Sequence, residues 1–290
     1  MTATVDSIEN TLRAQLVSAR HGEGGWGYEP GCVPRLEPTC WALLALRASG
    51  SPSDKVLALW PTTDGALVEQ RGGLVNWSFH ALALSTRIAL GEAFVSELKS
   101  LANALVDGCG AAPHQPAGQC KDGGLRGWSW IDGTFSWVEP MSWVVLALKR
   151  CRARGIISAS LEEHIRSAEA ILEQRVCATG GWNYGYSPAF GNELPGHVPT
   201  TAIVLLALQD RADEPFIRQS RGYLEQHAEN HPSIRALALS VLALKRHGCS
   251  TGRVEARLRR WLDDHPTSDA ASIGMALCAL HRAGADAFGL

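Results

Sequence analysis

Two copies of one short pattern, Glu-Pro-x-x-Trp, set a carboxylate four residues before an indole: Glu37-Pro38 with Trp41, and Glu139-Pro140 with Trp143. An acid desolvated beside an aromatic ring can be held protonated at neutral pH, as a general acid must be. Proline suits the opening positions of a helix, so each glutamate stands at a helix start. There it would equally serve as an anion favoured by the helix dipole, by about 0.3–1 kcal/mol. Glu139 is the preferred acid and Glu37 the second, because Trp137 also precedes Glu139 closely. His197 and His231 lie just before Pro199 and Pro232, at two further helix starts. With Glu139 or Asp269 they could compose a His₂-carboxylate set for a divalent metal; as separate loop histidines they would bind nothing. No motif specifies a cofactor.

Ten tryptophans against four tyrosines are the unusual entry in the composition. Trp26, Trp77, Trp128, Trp130, Trp137 and Trp182 fall in loop-like sequence between helical patterns. The stretch 108–138 is long for a loop, and long loops inside compact domains are usually functional. Its Trp128, Trp130, Phe135 and Trp137 suggest a lid or wall over an apolar cavity. Trp128, Trp130 and Trp137, with Trp77, His80, Trp143, Tyr184, Tyr186 and His197, make up the candidate substrate-lining set. Trp26 and Trp182, each after a double glycine, read as packing side chains, and Trp128, Trp130 and Trp137 fit either role.

The elements that must carry these residues are helices in repeats. Six apolar blocks align on Leu46, Leu84, Leu148, Leu208, Leu244 and Leu280, giving a unit of about 36 residues. Most blocks follow a more amphipathic segment with one apolar stripe: Ile8, Leu12, Leu16; Phe94, Leu98, Leu101, Leu105; Leu161, Ile165, Ala168, Leu172; Val254, Leu258, Trp261, Leu262. In the second unit Pro61 and Gly65 interrupt the first helix. No stretch shows sustained period-2 alternation, so no sheet is expected. Six hairpins of one amphipathic and one all-apolar helix close naturally into two rings. The expectation is an all-α (α/α)₆ toroid, one domain over residues 1–290.

Charged residues are 19% and the net charge is −2, which excludes a field able to hold nucleic acid or an anionic membrane. No apolar run approaches the roughly 20 residues of a membrane span, and the N-terminus lacks a signal-peptide profile. The eight scattered cysteines, without a C-x-x-C pair, read as reduced thiols of a cytoplasmic protein.

The Gly-Gly-aromatic turns, with Ile171-Leu172-Glu173-Gln174 before Gly180-Gly181-Trp182 and the fragment Arg221-Gly222-Tyr223-Leu224-Glu225-Gln226, resemble the α/α-toroid family of terpenoid cyclases and protein prenyltransferase β-subunits. The resemblance covers nearly the whole chain and implies a toroid with an aromatic-lined isoprenoid pocket opening where the inner helices begin. The family's D-x-D-D acid is missing; Asp263-Asp264 reads as a polar turn. Asp107-Gly108-Cys109 has the letters of the prenyltransferase zinc motif but ends an outer helix. The expected function is therefore an enzyme of isoprenoid metabolism, cyclase-like or transferase-like, taking a prenyl or terpenoid chain into a Trp-lined central cavity. Two alternatives stand beside it: a non-catalytic isoprenoid-binding or scaffolding toroid with a protein partner, and an (α/α)₆-barrel carbohydrate enzyme using Glu37 and Glu139.

Overall fold

The computed structural model describes residues 5–50, 57, 60–70, 73–91, 94–109, 127–130, 135–186 and 192–290. Six inner helices, α2 (Leu36–Ala48), α3 (Trp77–Leu90), α5 (Val138–Ala153), α7 (Val198–Ala207), α9 (Ile234–Arg246) and α11 (Ala270–Leu280), are buried on nearly every side. Each packs against the inner helices before and after it, and α11 packs against α2, so the ring closes. The closing seam is tight because Gly274 has no side chain: a Cβ there would lie 2.7 Å from the Trp41 carbonyl carbon. Five outer helices, α1 (Val5–Ser18), α4 (Val95–Asp107), α6 (Ala159–Gln174), α8 (Pro215–His227) and α10 (Gly252–Asp264), bury single stripes against this ring. The fold is an all-α toroid.

Between α2 and α3 the described residues form not an outer helix but a two-stranded antiparallel ribbon, β1 (Thr62–Thr63) and β2 (Ala66–Leu67). Asp64 and Gly65 both have positive φ, 49° and 82°, the backbone that a tight hairpin turn demands. This corrects the expectation of no sheet. Phe94 also departs from its expected stripe: it precedes α4 and stands 78% exposed, while Leu98, Leu101 and Leu105 are buried.

One device joins outer to inner helix in three of the units. After α1, α4 and α6, an indole N–H turns back and donates to a carbonyl two residues from the helix end: Trp26 to Leu16 (2.7 Å), Trp128 to Leu105 (2.7 Å) and Trp182 to Leu172 (2.6 Å). The last carbonyls of a helix have no partner within it, and a buried one must find a donor elsewhere. The backbone N–H groups of Trp26 and Trp182 in turn donate to the hydroxyls of Thr39 on α2 and Thr201 on α7, both at 3.0 Å. The preceding pairs, Gly24-Gly25 and Gly180-Gly181, all have positive φ, which only glycine adopts cheaply. At Gly181 a Cβ would also meet the Thr201 hydroxyl at 2.6 Å.

Inside the ring, Trp41 on α2 and Trp143 on α5 meet edge to face with centroids 6.1 Å apart. The C-terminal 3₁₀ turn Gly284–Phe288 enters from the opposite end and seats Phe288, fully buried, 5.5 Å from Trp41 and 6.5 Å from Trp143.

Candidate functional site

The N-terminal ends of the inner helices converge on one mouth. Glu37, Glu139 and Arg235 are each the second residue of their helices α2, α5 and α9. These are alternate members of the ring, so the three side chains meet across it. Arg235 donates to Glu37 Oε1 at 2.9 Å and to Glu139 Oε1 at 2.6 Å, spanning both carboxylates with one guanidinium. All three are partly buried, at 33%, 12% and 16% side-chain exposure. Burial disfavours the Arg235 charge, but Glu139 and Glu37 outweigh it and raise its pKa. The Tyr28 hydroxyl donates to Glu37 Oε2 at 2.7 Å, and burial, with Glu37 beside it, pushes that phenol up.

Glu69, just beyond the ribbon, was not among the expected acids. Its carboxylate accepts from the Leu36 backbone N–H and pairs with Arg35 at 3.1 Å, capping α2. Burial nevertheless holds its carboxyl above the usual range, against the Leu36 bond and Arg35 and with a smaller push from Glu37.

On the α5–α7 side stands an aromatic wall. Trp130 lies 5.2 Å from Trp137 and 6.3 Å from Tyr184; Phe135 lies 5.0 Å from Trp137 and 5.6 Å from Tyr186. Fully buried Arg175, which ends α6, holds the wall from behind. It donates to the Ser136 carbonyl and stacks over Phe135 and Tyr186 at 4.7 and 4.4 Å. Tyr184 continues the wall to His197, 4.6 Å away edge to face. A cavity of about 480 Å³ opens there, lined by Tyr184, His197, Tyr223, His227, Asn230 and His231. Burial lowers both His197 and His231, the latter also through its proximity to His197, so both rings are neutral at pH 7. The buried Nδ1 atoms of the two rings have no hydrogen-bond partner.

The structure thus brings together Glu37 with Glu139, His197 with His231, and Trp130, Trp137, Tyr184 and Tyr186. Four residues of the expected lining set lie buried away from this wall and cavity. His80 is fully buried, with Nδ1 accepting from the Leu67 N–H at 3.0 Å and Nε2 3.0 Å from the Leu101 carbonyl. Trp77 packs against His80 and is 4% exposed. Trp128 caps α4, and Trp143 fills the ring interior. Each satisfies packing or hydrogen bonding inside the protein. Among the described residues no group of three histidine, cysteine or acidic side chains could hold a metal. Arg235 takes Glu139, and Asp269 caps α11 through the Ala271 and Ser272 N–H groups. Cys109 is a buried thiol facing the Gly127 carbonyl, and Asp263-Asp264 ends α10, exposed. Most of the expected lid over 108–138 lies outside the described residues.

Arg235 had a signal in the repeats themselves. Glu37, Glu139 and Arg235 each stand nine residues before an aligned leucine, Leu46, Leu148 and Leu244. Complementary charges at one repeat position announce a meeting across the ring.

No protein-family model and no curated protein sequence matches the chain. Among solved structures, the type II terpene cyclase MstE from Scytonema superposes with a TM-score of 0.62 at 16% identity, over 97% of this chain and 98% of that one. A reducing-end-xylose releasing exo-oligoxylanase superposes at 0.55 with 11% identity, over 96% and 93%. At these identities the likeness extends to the toroid fold, which terpenoid and carbohydrate chemistry share.

Proposed function

We propose that this chain is an isoprenoid-handling toroid of terpene-cyclase type, binding a prenyl or terpenoid chain at its mouth. The observation that carries this reading is the continuous apolar wall from Phe135 and Tyr186 through Trp137, Trp130 and Tyr184 to the cavity at His197 and His231. Aromatic faces both bury an alkene chain and stabilise a carbocation formed on it. Cyclisation by this route transfers a carboxylic proton to a terminal C=C, forming a C–H bond and a cation at the neighbouring carbon. Internal alkenes then close rings, and loss of a proton to a neutral base restores a C=C. Glu139 is the proposed donor: its carboxylate, paired with Arg235 in this structure, takes up a proton from solvent when Arg235 shifts toward Glu37 and then gives it to the alkene. Neutral His197 and His231 are suited to take up the final proton. Glu139→Gln keeps shape and hydrogen bonding but removes the acidic proton. It is expected to bind ligand as before and to cyclise farnesyl and geranylgeranyl substrates at least 100-fold more slowly, the scale of general acid catalysis. Product analysis by gas chromatography reads this out. Undiminished turnover would pass the role to Glu69, which Glu69→Gln tests in turn.

One observation favours a second reading. Two carboxylates close enough for one guanidinium to span them are the raw material of glycoside hydrolysis, and the exo-oligoxylanase shares the fold. Release of reducing sugar from oligoxylosides would select it.

A further inference from the structure

The end of the barrel opposite the mouth carries charge that no acidic side chain among the described residues neutralises. A second cavity, of about 540 Å³, opens among the C-terminal ends of α2, α3 and α5 and the C-terminal 3₁₀ turn. Arg47, Arg150 and Arg154 line it, with Asp286 as the one acid among the described lining residues. Asp286 is turned to Arg246, 3.7 Å away, and is 77% exposed. Among the described residues no carboxylate pairs with Arg47, Arg150 or Arg154.

Helix C-termini attract cations, and part of the cluster is accounted for in that way. Arg150 donates to the Ser85 carbonyl at 2.7 Å and Arg154 to the Ile88 carbonyl at 3.2 Å, both near the end of α3. Neutral carbonyls leave the charge in place. Arg150 is only 5% exposed, and its buried Nε has no partner. Burial, with Arg154 and Arg246 adding repulsion, draws its pKa down to about 10, so it remains a cation at neutral pH. A buried cation beside others of the same sign is costly unless paired. The remaining wall, Leu44, Ala48, Ala89, Ala283 and Ala287, is apolar.

We infer that this basal cavity is a binding site for a phosphate-bearing anion, held by Arg47, Arg150 and Arg154. The planar fork of a guanidinium matches phosphate oxygens in pairs. Three guanidiniums against one exposed acid suit a group carrying two or more negative charges. The apolar wall leaves room for an organic portion, and the site stands apart from the mouth and from the function proposed there.

Isothermal titration calorimetry with inorganic diphosphate tests the assignment on the full chain, and sedimentation with phosphatidic-acid vesicles tells a lipid headgroup from a free phosphate. Saturable binding of one or the other is expected, weakened at least tenfold by the Arg47→Gln/Arg154→Gln double variant and by Arg150→Gln. The double variant leaves the buried Arg150 in place and so remains informative should Arg150→Gln fail to fold. Lys99→Gln/Arg13→Gln, removing the same charge from exposed positions on α4 and α1, is expected to bind as the unaltered protein does. Absence of binding to either ligand at about 10 mM, a Kd far weaker than specific sites show, overturns the assignment. So does equal weakening in the two double variants.

Discussion

Replacing Arg235 by Met keeps most of the side-chain bulk and removes the cation between Glu37 and Glu139. The two carboxylates are then left facing each other at 12% and 16% exposure, without the donors that held them at 2.9 and 2.6 Å. Breaking a fully buried pair by deleting one partner costs about 3–5 kcal/mol, whereas exposed pairs are worth about 0–1. Arg235 is one-third exposed, so water replaces part of what is lost, and a cost of about 2–3 kcal/mol at pH 7 is expected. The deficit has a signature that lost packing lacks. Replacing Glu37 and Glu139 by Gln in the same background removes their repulsion, so much of the deficit should disappear. Urea denaturation followed by far-ultraviolet circular dichroism of the single and triple variants measures it. A cost below about 0.5 kcal/mol, or a deficit that the two Gln replacements leave unchanged, would refute the clasp as a partly desolvated ion triad.

Two further outcomes follow from the scaffold. Trp182→Phe fills most of the same space but removes the shorter of the two hydrogen bonds to the buried Leu172 carbonyl, leaving the Arg175 N–H at 3.2 Å, so about 0.5–1.5 kcal/mol of stability should be lost, by the same denaturation measurement. His80 is fully buried and its pKa is lowered from 6.5 to about 4, mainly by burial. The unfolded chain therefore binds a proton that the folded one refuses. Stability should fall as pH drops from about 6.5 to about 4, by about 3 kcal/mol from this residue, and His80→Gln should flatten that slope.

The fold was legible because its signal is repetition: the apolar blocks at Leu46 through Leu280 mark the inner ring, and closure follows from each being buried on all sides. The ribbon at 62–67 was overlooked although Asp64-Gly65 is a hairpin signal, since its two-residue strands are too short to alternate. At the site, spacing located the helix starts but not which side chains cross the ring. Glu37 and Glu139 were found by type, whereas Arg235 needed the repeat register. Trp77, His80, Trp128 and Trp143 show the limit of reading function from residue type. An indole that caps a helix and an indole that lines a pocket look alike in sequence, and only the carbonyl at 2.7 Å separates them. Phe288 was invisible for a related reason, because no local pattern says that the 284–288 turn will fill the ring.

The most direct measurement of the central claim is ligand binding at the mouth. Geranylgeraniol titrated into the protein and followed by native mass spectrometry should give a 1:1 complex. Trp130→Ala and Tyr184→Ala, both in the aromatic wall, should each weaken it by up to about 2 kcal/mol, somewhat less than fully buried aromatics cost. Trp143→Phe, altering the ring interior, should leave it intact. A protein that takes up no prenyl compound but retains xylo-oligosaccharide, with the same two wall variants abolishing that complex, would contradict the isoprenoid reading.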